Sequence, residues 1–204
     1  MASADGGPPF FDVVFAQRAC REYADTPVDD ETIELILRAG THAPSAENKQ
    51  PWEFIVVRDA GAQTVIHDLT EASWVAAGRA WSETRIPPEL LKEVDYGIAG
   101  GGYRTAPVLV VVCVDLERGM RATIGSSIFP CVQNMLLAAT ALGLASALTT
   151  LVTGVGELRT LLALPESVEP TAVIPLGYPA RPLGPPRREP ATEHTHRDRF
   201  GAAW

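Results

Sequence analysis

The run Val108-Leu109-Val110-Val111-Val112 constrains the fold of this chain more than any other segment. It lies within residues 106–115, which are almost all β-branched or aliphatic. An unbroken apolar run of this length is typical of a strand buried on both faces, whereas a half-exposed strand alternates. We therefore predict that residues 106–115 form a central strand. Residues Trp52–Val57 and 171–176 have similar compositions and are predicted to be further buried strands.

Residues 125–143 form the longest apolar helical pattern in the sequence. Apolar side chains such as Val132, Met135 and Leu136 occupy more than one stripe of the predicted helix. A helix with this pattern must be buried on more than one side. In a chain of only 204 residues, a second subunit is an economical source of that burial.

Two shorter helices are predicted nearer the N-terminus. Phe10–Ala16 is mostly apolar and aromatic, which indicates the first helix. The second is predicted to begin behind an N-cap at Asp29 or Asp30, and to stop at Gly40 and Pro44.

Residues 60–103 have an irregular helical pattern with a break at residues 86–88. Their aromatic residues are expected either to cover a ligand as a lid or to pack in the core. Residues 100–102 are three glycines without the spacing of a dinucleotide-binding loop, so we expect only a flexible connection.

Composition limits the functional class. The 46% hydrophobic content can bury one core, and the net charge of −8 argues against a nucleic-acid surface. Three cysteines without metal-ligand spacing predict neither a zinc site nor a disulfide framework, and suggest the reducing cytoplasm. Residues 1–9 are expected to be a disordered tail, neither a signal peptide nor a membrane anchor.

Arg18 and Arg21 flank two small residues, Ala19 and Cys20. This spacing lets two guanidinium groups converge on one dianion while the backbone stays accessible. The alternative is a pair of solvated surface arginines.

Residues 43–52 read as an ordered polar loop between a helix and a strand. Pro44 ends the helix, and Ser45 and Asn48 are residues that cap backbone amides. The loop offers the Ser45 hydroxyl, the carboxamides of Asn48 and Gln50, and unpaired backbone N–H groups. Such groups can form hydrogen bonds with the donors and acceptors along the edge of a planar heterocycle. The alternative is an ordinary helix-to-strand connection.

Four segments in chain order resemble motifs of the nitroreductase family of FMN-dependent oxidoreductases. Arg18-Ala19-Cys20-Arg21 resembles its Arg-Ser-x-Arg phosphate motif, and Pro44-Ser45-x-x-Asn48-x-Gln50-Pro51-Trp52 resembles its Pro-Ser-x-x-Asn-x-Gln-Pro-Trp segment. Residues 142–150 resemble its Leu-Gly-Leu-Gly-Ser segment. Gly177-Tyr178-Pro179 followed by Arg188-x-Pro190 resembles its C-terminal signature.

The resemblance implies an α+β, nitroreductase-like fold with a mostly antiparallel central sheet flanked by helices. It also implies a domain-swapped homodimer with FMN sites at the interface. Residues 10–190 would form the FMN-binding domain, and residues 191–204 would form an arm that reaches across the dimer, with Trp204 as its anchor.

The resemblance also implies a set of cofactor-binding residues. These are Arg18, Ala19, Cys20, Arg21, Pro44, Ser45, Asn48, Gln50, Leu148, Thr149, Thr150 and Arg188. Arg188 would be the third phosphate ligand, with Arg181 and Arg187 as weaker alternatives. Ala19 replaces the family's serine, which removes about one neutral hydrogen bond, roughly 1 kcal/mol.

The resemblance also implies that the chain at Thr150 lies near flavin N5, where a backbone N–H or a threonine hydroxyl can donate. A donor there stabilises negative charge on the reduced ring. The alternative is that Thr149 and Thr150 are ordinary strand-end residues.

The implied function is transfer of a hydride from NADH or NADPH, through flavin N5, to an electron-poor acceptor such as a nitroaromatic or quinone. Ping-pong kinetics are expected, with no catalytic acid or base from the protein, no metal, no nucleic acid and no membrane. Two alternatives stay open. One is another flavin reaction, such as reductive dehalogenation, flavin destruction or metabolite oxidation; the other is a non-catalytic flavin-binding protein.

Overall fold

Strand β2 (Val108–Asp115) lies inside a sheet of four strands in the computed structural model, which describes residues 7–204. The strand order is β1-β2-β4-β3, and every pair is antiparallel. The other strands are β1 (Trp52–Val57), β3 (Ala145–Ser146) and β4 (Val168–Gly177). The predicted mostly antiparallel sheet is confirmed. The predicted tail, residues 1–9, falls mostly outside the described residues.

Seven helices flank this sheet within residues 7–204. They are α1 (Phe10–Ala16), α2 (Asp30–Thr41), α3 (Ala60–Ser73), α4 (Arg79–Glu83), α5 (Pro88–Ile98), α6 (Ile124–Ala141) and α7 (Gly156–Leu161). Short 3-10 turns cover Ala46–Asn48, Gly102–Thr105, Arg121–Thr123 and Ala191–His194.

The side chains of β2 alternate between two hydrophobic clusters. Val108, Val110 and Val112 pack with residues of α2 and α6 on one face. Leu109 and Val111 pack on the opposite face with residues of α3, α5 and α7. Both faces exclude water, so the prediction of a strand buried on both sides is confirmed.

Strand β1 differs from its prediction. Within residues 7–204 it is an edge strand that pairs only with β2, and only its end residues Trp52 and Val57 are buried. The aromatic and β-branched composition correctly indicated a strand. Composition did not show that the strand lies at the edge of the sheet, where it has a neighbouring strand on one side only.

Helix α6 is the core helix predicted for residues 125–143. Ile128, Val132 and Met135 are buried in the cluster beneath the sheet. The segment Arg121–Ala141 is long and apolar enough to cross a membrane by length and composition, but core helices of globular proteins pass the same test. On its outer side, Phe129 is 37% exposed in the single chain. The predicted burial on a second side therefore stays a prediction about a partner.

Helices α1 and α2 confirm their predicted starts. Asp29 is the N-cap of α2, since its carboxylate accepts a hydrogen bond from the Thr32 N–H at 2.7 Å. Gly40 does not stop this helix, which continues to Thr41. A Cβ at Gly40 would lie 2.8 Å from Cγ of Met135, so the glycine allows α2 and α6 to pack closely.

Residues 60–103 are helical and irregular, as predicted. A π-helical turn, Trp74–Gly78, separates α3 from α4, and the break before α5 falls at Pro87. The glycines that follow α5 are more than a flexible connection. Gly102 is buried, and a Cβ on it would lie 2.1 Å from the carbonyl oxygen of Arg21.

Candidate functional site

A cavity of about 190 Å³ lies where the segment after α1 meets α5 and the chain beyond β4. It is lined by residues 18–22, residues 181–184, Glu93 and Tyr96, and we call it the arginine pocket. Three guanidinium groups (Arg18, Arg21 and Arg181) and two carboxylates lie on its wall.

The segment that carries Arg18 and Arg21 is fixed to the sheet. Ala19 forms a parallel bridge with Ser146, and the Cys20 N–H donates to the Ser146 carbonyl at 2.9 Å. The buried Tyr23 hydroxyl donates to the carbonyl oxygen of Cys20 at 3.2 Å. These bonds hold the backbone between the two arginines against the edge of β3.

Both arginines have polar contacts inside the pocket. The Nη1 of Arg18 donates to the Gly184 carbonyl at 3.1 Å. The Nη1 of Arg21 lies 3.4 Å from Oε2 of Glu93, and the Nη2 of Arg18 lies 3.8 Å from the same oxygen.

The Arg21 side chain is only 16% exposed, and its buried Nε has no hydrogen-bond partner among the described residues. A buried donor without a partner is costly, so the position of this side chain costs free energy in the single chain.

Cys20 and Tyr96 complete the pocket without acting as nucleophiles. Burial raises the pKa of the Cys20 thiol, and its Sγ donates to the Glu22 carbonyl at 3.0 Å. The Tyr96 hydroxyl donates to Oε1 of Glu22 at 2.8 Å, and this bond raises the tyrosine pKa. Both groups are therefore neutral near pH 7.

An anionic group such as the phosphate of FMN fits this pocket. The convergent guanidinium groups supply charge-assisted donors. Ala19 has only a methyl group, whereas the serine of the resembled motif would offer a hydroxyl donor at this position. The predicted convergence of Arg18 and Arg21 is thus present in the geometry of a single chain.

The third cation in the pocket is Arg181. Arg188 does not line the pocket, and its Nη1 donates to the carbonyl oxygen of Arg187 at 2.8 Å. Sequence reasoning ranked Arg188 above Arg181 on a motif match. The role of Arg188 as a phosphate ligand stays a prediction.

The polar loop at residues 43–52 is ordered by its own hydrogen bonds. The Ser45 Oγ accepts from the Gln50 N–H at 2.9 Å, and the Ala46 N–H donates to the buried Ser127 hydroxyl of α6 at 3.0 Å. Asn48 and Gln50 have φ angles of 54° and 50°, in the left-handed region. Such conformations are uncommon outside glycine and collect at functional sites.

This loop does not reach the arginine pocket within one chain. Ala46, Pro51 and Ser127 instead line a separate cavity of about 200 Å³, next to the turn after β2. Pro44, Asn48 and Gln50 are exposed. The loop and the arginines therefore do not line the same cavity of one chain.

Residues 148–150 also lie outside the arginine pocket. Leu148 and Thr150 are exposed, and Thr149 pairs with Val173 of β4 through a single bridge. Thr149 Oγ1 accepts from the Leu151 N–H at 3.3 Å, whereas the Thr150 carbonyl accepts from the Thr153 hydroxyl at 2.9 Å.

Sequence reasoning missed Glu93, and it named Tyr96 only as one of several aromatic residues that either cover a ligand or pack in the core. Both lie on α5, in the irregular segment whose pattern indicated no particular contact. No spacing or motif distinguishes Glu93 from the neighbouring acidic residues, so only its position in the fold identifies it.

Comparison with known proteins finds relatives that cover most of this chain. A candidate NADH dehydrogenase/NAD(P)H nitroreductase of Methanothermobacter thermautotrophicus is 33% identical over 190 residues, which cover 88% of this chain and 84% of that protein. The solved structure of a candidate nitroreductase from Desulfovibrio desulfuricans, in complex with FMN, is 31% identical. It covers 96% of this chain and 99% of the other, with a TM-score of 0.70.

A relative of lower identity is named as a deiodinase. Iodotyrosine deiodinase 1 of Rattus norvegicus is 25% identical, over 84% of this chain and 62% of that protein. The model of the nitroreductase family matches residues 14–178, from within α1 to the end of the sheet. With this match and the 33% identity, the chain belongs to the nitroreductase family.

Proposed function

We propose that this protein is a homodimeric, FMN-dependent oxidoreductase. It would take a hydride from NADH or NADPH and pass it to an electron-poor acceptor such as a nitroaromatic or quinone. The observation that carries the proposal is the arginine pocket, in a chain whose relatives include an FMN complex.

The arginine pocket would hold the FMN phosphate. Arg18 and Arg21 would bind it from the segment after α1, with Arg181 or Arg188 as the third cation.

The ring would lie against the loop at residues 43–52 and against residues 148–150. Ser45, Asn48 and Gln50 would contact its edge, and Thr150 would donate toward N5. Because this loop does not line the arginine pocket of its own chain, we propose that it comes from the partner subunit. Three exposed phenylalanines of α1 and the outer side of α6 are available to form the dimer.

Bound flavin would supply the redox chemistry, since it can accept a hydride from one substrate and deliver it to another. The residues of this chain would bind, orient and exclude water. Both substrates would use one open site in turn, which gives ping-pong kinetics. The cytoplasmic location stays a prediction, with which the three buried free cysteines agree.

Reductive dehalogenation is the second candidate, favoured by the similarity to iodotyrosine deiodinase. The two activities are separated by supplying NADPH with either a nitroaromatic or an iodinated tyrosine. Nitro consumption without iodide release supports the first candidate, and the opposite result supports the second.

The first prediction is that the purified protein is yellow and releases FMN when it is denatured, because the pocket and loop together provide a flavin site. Chromatography of the released cofactor identifies it. A colourless protein that also fails to bind added FMN would overturn the proposed function.

The second prediction concerns the phosphate. Arg18→Ala should weaken FMN binding about tenfold or more, because it removes a charge-assisted contact of roughly 1.5–3 kcal/mol. Comparison of Arg181→Ala with Arg188→Ala identifies the third ligand. Arg58→Ala is the control, since Arg58 pairs with Asp30 outside the pocket. Equal binding of FMN and riboflavin by the parent would contradict the phosphate assignment.

A further inference from the structure

Glu93 occupies the place in the arginine pocket where a phosphate would be expected to bind. Its Oε2 lies 3.4 Å from Arg21 Nη1 and 3.8 Å from Arg18 Nη2. Among the described residues, Glu93 forms ion pairs only with these two arginines. One carboxylate thus bridges the two guanidinium groups that the proposed function assigns to the FMN phosphate.

The position of Glu93 is fixed by α5. Trp74 Nε1 donates to Oδ1 of Asp95 at 2.8 Å, and the Tyr96 hydroxyl bonds to Glu22 across the pocket. A Cβ at Gly97 would lie 3.0 Å from Cβ of Arg21, so glycine permits this close approach of helix and arginine. Helix α5 therefore brings the carboxylate to the arginines without help from a ligand.

A phosphate dianion and the Glu93 carboxylate cannot share these arginines without repulsion. The Glu93 side chain is 49% exposed, so it can turn into solvent when an anion enters. When the Glu93 side chain turns away, two partly exposed ion pairs are lost. The carboxylate keeps its negative charge and still repels the phosphate.

We propose that Glu93 is a built-in counter-ion of the phosphate site, and that FMN must displace it. It keeps the two arginines paired before the cofactor binds, and it lowers the affinity for a phosphorylated flavin. A flavin without phosphate does not compete with it. Glu93 therefore sets how strongly the site prefers FMN over riboflavin, an inference that rests on the proposed function.

The test compares dissociation constants of FMN and riboflavin for apoprotein, measured by quenching of flavin fluorescence at one ionic strength. Glu93→Gln keeps the shape and removes the charge. It should bind FMN about three- to tenfold tighter than the parent, with riboflavin binding unchanged within about twofold. Glu89→Gln is the matched control, because Glu89 lies on the same helix, exposed and outside the pocket.

The outcomes separate this inference from the proposed function. A parent that binds neither flavin overturns both. If the parent prefers FMN and Glu93→Gln binds it equally or more weakly, only the role of Glu93 is wrong. The same conclusion follows if both flavins tighten together, since the effect would then not act through the phosphate.

Discussion

Two buried side-chain nitrogen atoms lack a hydrogen-bond partner among residues 7–204, and they lie in different surroundings. Arg21 Nε belongs to a cation on the wall of a cavity, next to two other arginines. His67 Nε2 belongs to a side chain of α3 that is 9% exposed and lines neither of the two cavities described above. The first atom belongs to a side chain that lines the proposed ligand site, whereas the second belongs to a side chain whose burial makes stability depend on pH.

Burial, and after it the nearby Arg104 guanidinium, lower the pKa of His67 to about 4. The opposing effect of the Asp68 carboxylate is smaller. The unfolded chain binds this proton near pH 6.5, so the free energy of unfolding is unaffected above that pH and falls as the pH drops toward 4. We expect a loss of about 2 kcal/mol between pH 7.5 and pH 5 from this residue.

Urea unfolding of apoprotein at several pH values measures this loss. His67→Leu should remove most of it, whereas His42→Gln, at an exposed position, should retain it. If the parent and His67→Leu lose stability in parallel over this range, His67 is not the titrating group.

At the scale of elements, α5 and the turn behind it form one wall of the arginine pocket. Glu93 and Tyr96 lie on the helix, while Gly97 and Gly102 pack against Arg21. The helix and the arginine segment are therefore positioned by each other. A change in their packing should affect both the stability of the fold and binding at the pocket.

Gly102→Ala tests this packing, because the new Cβ would lie 2.1 Å from the carbonyl oxygen of Arg21. Backbone must move to relieve that clash, and we expect a loss of about 2 kcal/mol or more in the free energy of unfolding. Gly156→Ala is the control, since a Cβ there meets nothing within 4 Å. Weaker FMN binding by Gly102→Ala should accompany the loss. Equal stability of the two variants would show that the turn can shift freely.

At the scale of the whole molecule, a single chain leaves its apolar surface and its proposed site incomplete. Phe10, Phe11 and Phe15 of α1 are 67%, 65% and 67% exposed, and Phe129 lies on the outer side of α6. A large exposed apolar surface often marks an interface. A dimer would cover it and could bring a partner's loop to the arginine pocket.

Co-expression of two damaged chains tests whether the site is shared. Arg18→Ala and Asn48→Ala should each bind FMN poorly alone, whereas their mixed dimer should bind about one FMN, because one of its sites has both motifs intact. The control pairs the double variant, Arg18→Ala with Asn48→Ala, with the parent chain. That dimer should have no intact site if the motifs come from different subunits.

The opposite pattern contradicts the shared site. If both motifs serve the flavin of one subunit, the control dimer keeps an intact site and the first mixed dimer has none. Sedimentation of the purified protein provides the earlier check, because a monomer would exclude any site made by two subunits.

Local sequence signals predicted the features that depend on residues close together along the chain. The apolar run of β2 predicted a strand buried on both faces, and Asp29 predicted the start of α2; both are confirmed. The motifs, taken in order, identified the family, and the family match confirms it. These signals are local, because periodicity, capping and motif spacing are all written along the chain.

Only the tertiary structure decided which distant residues meet. It brought Glu93 to Arg18 and Arg21, placed Arg181 in the pocket, and packed Gly102 against the backbone of Arg21. It also made β1 an edge strand. No local pattern encodes these contacts, because each depends on how helices and strands pack once their apolar faces are buried. A site completed by a partner subunit would also depend on packing, in that case between the surfaces of two chains.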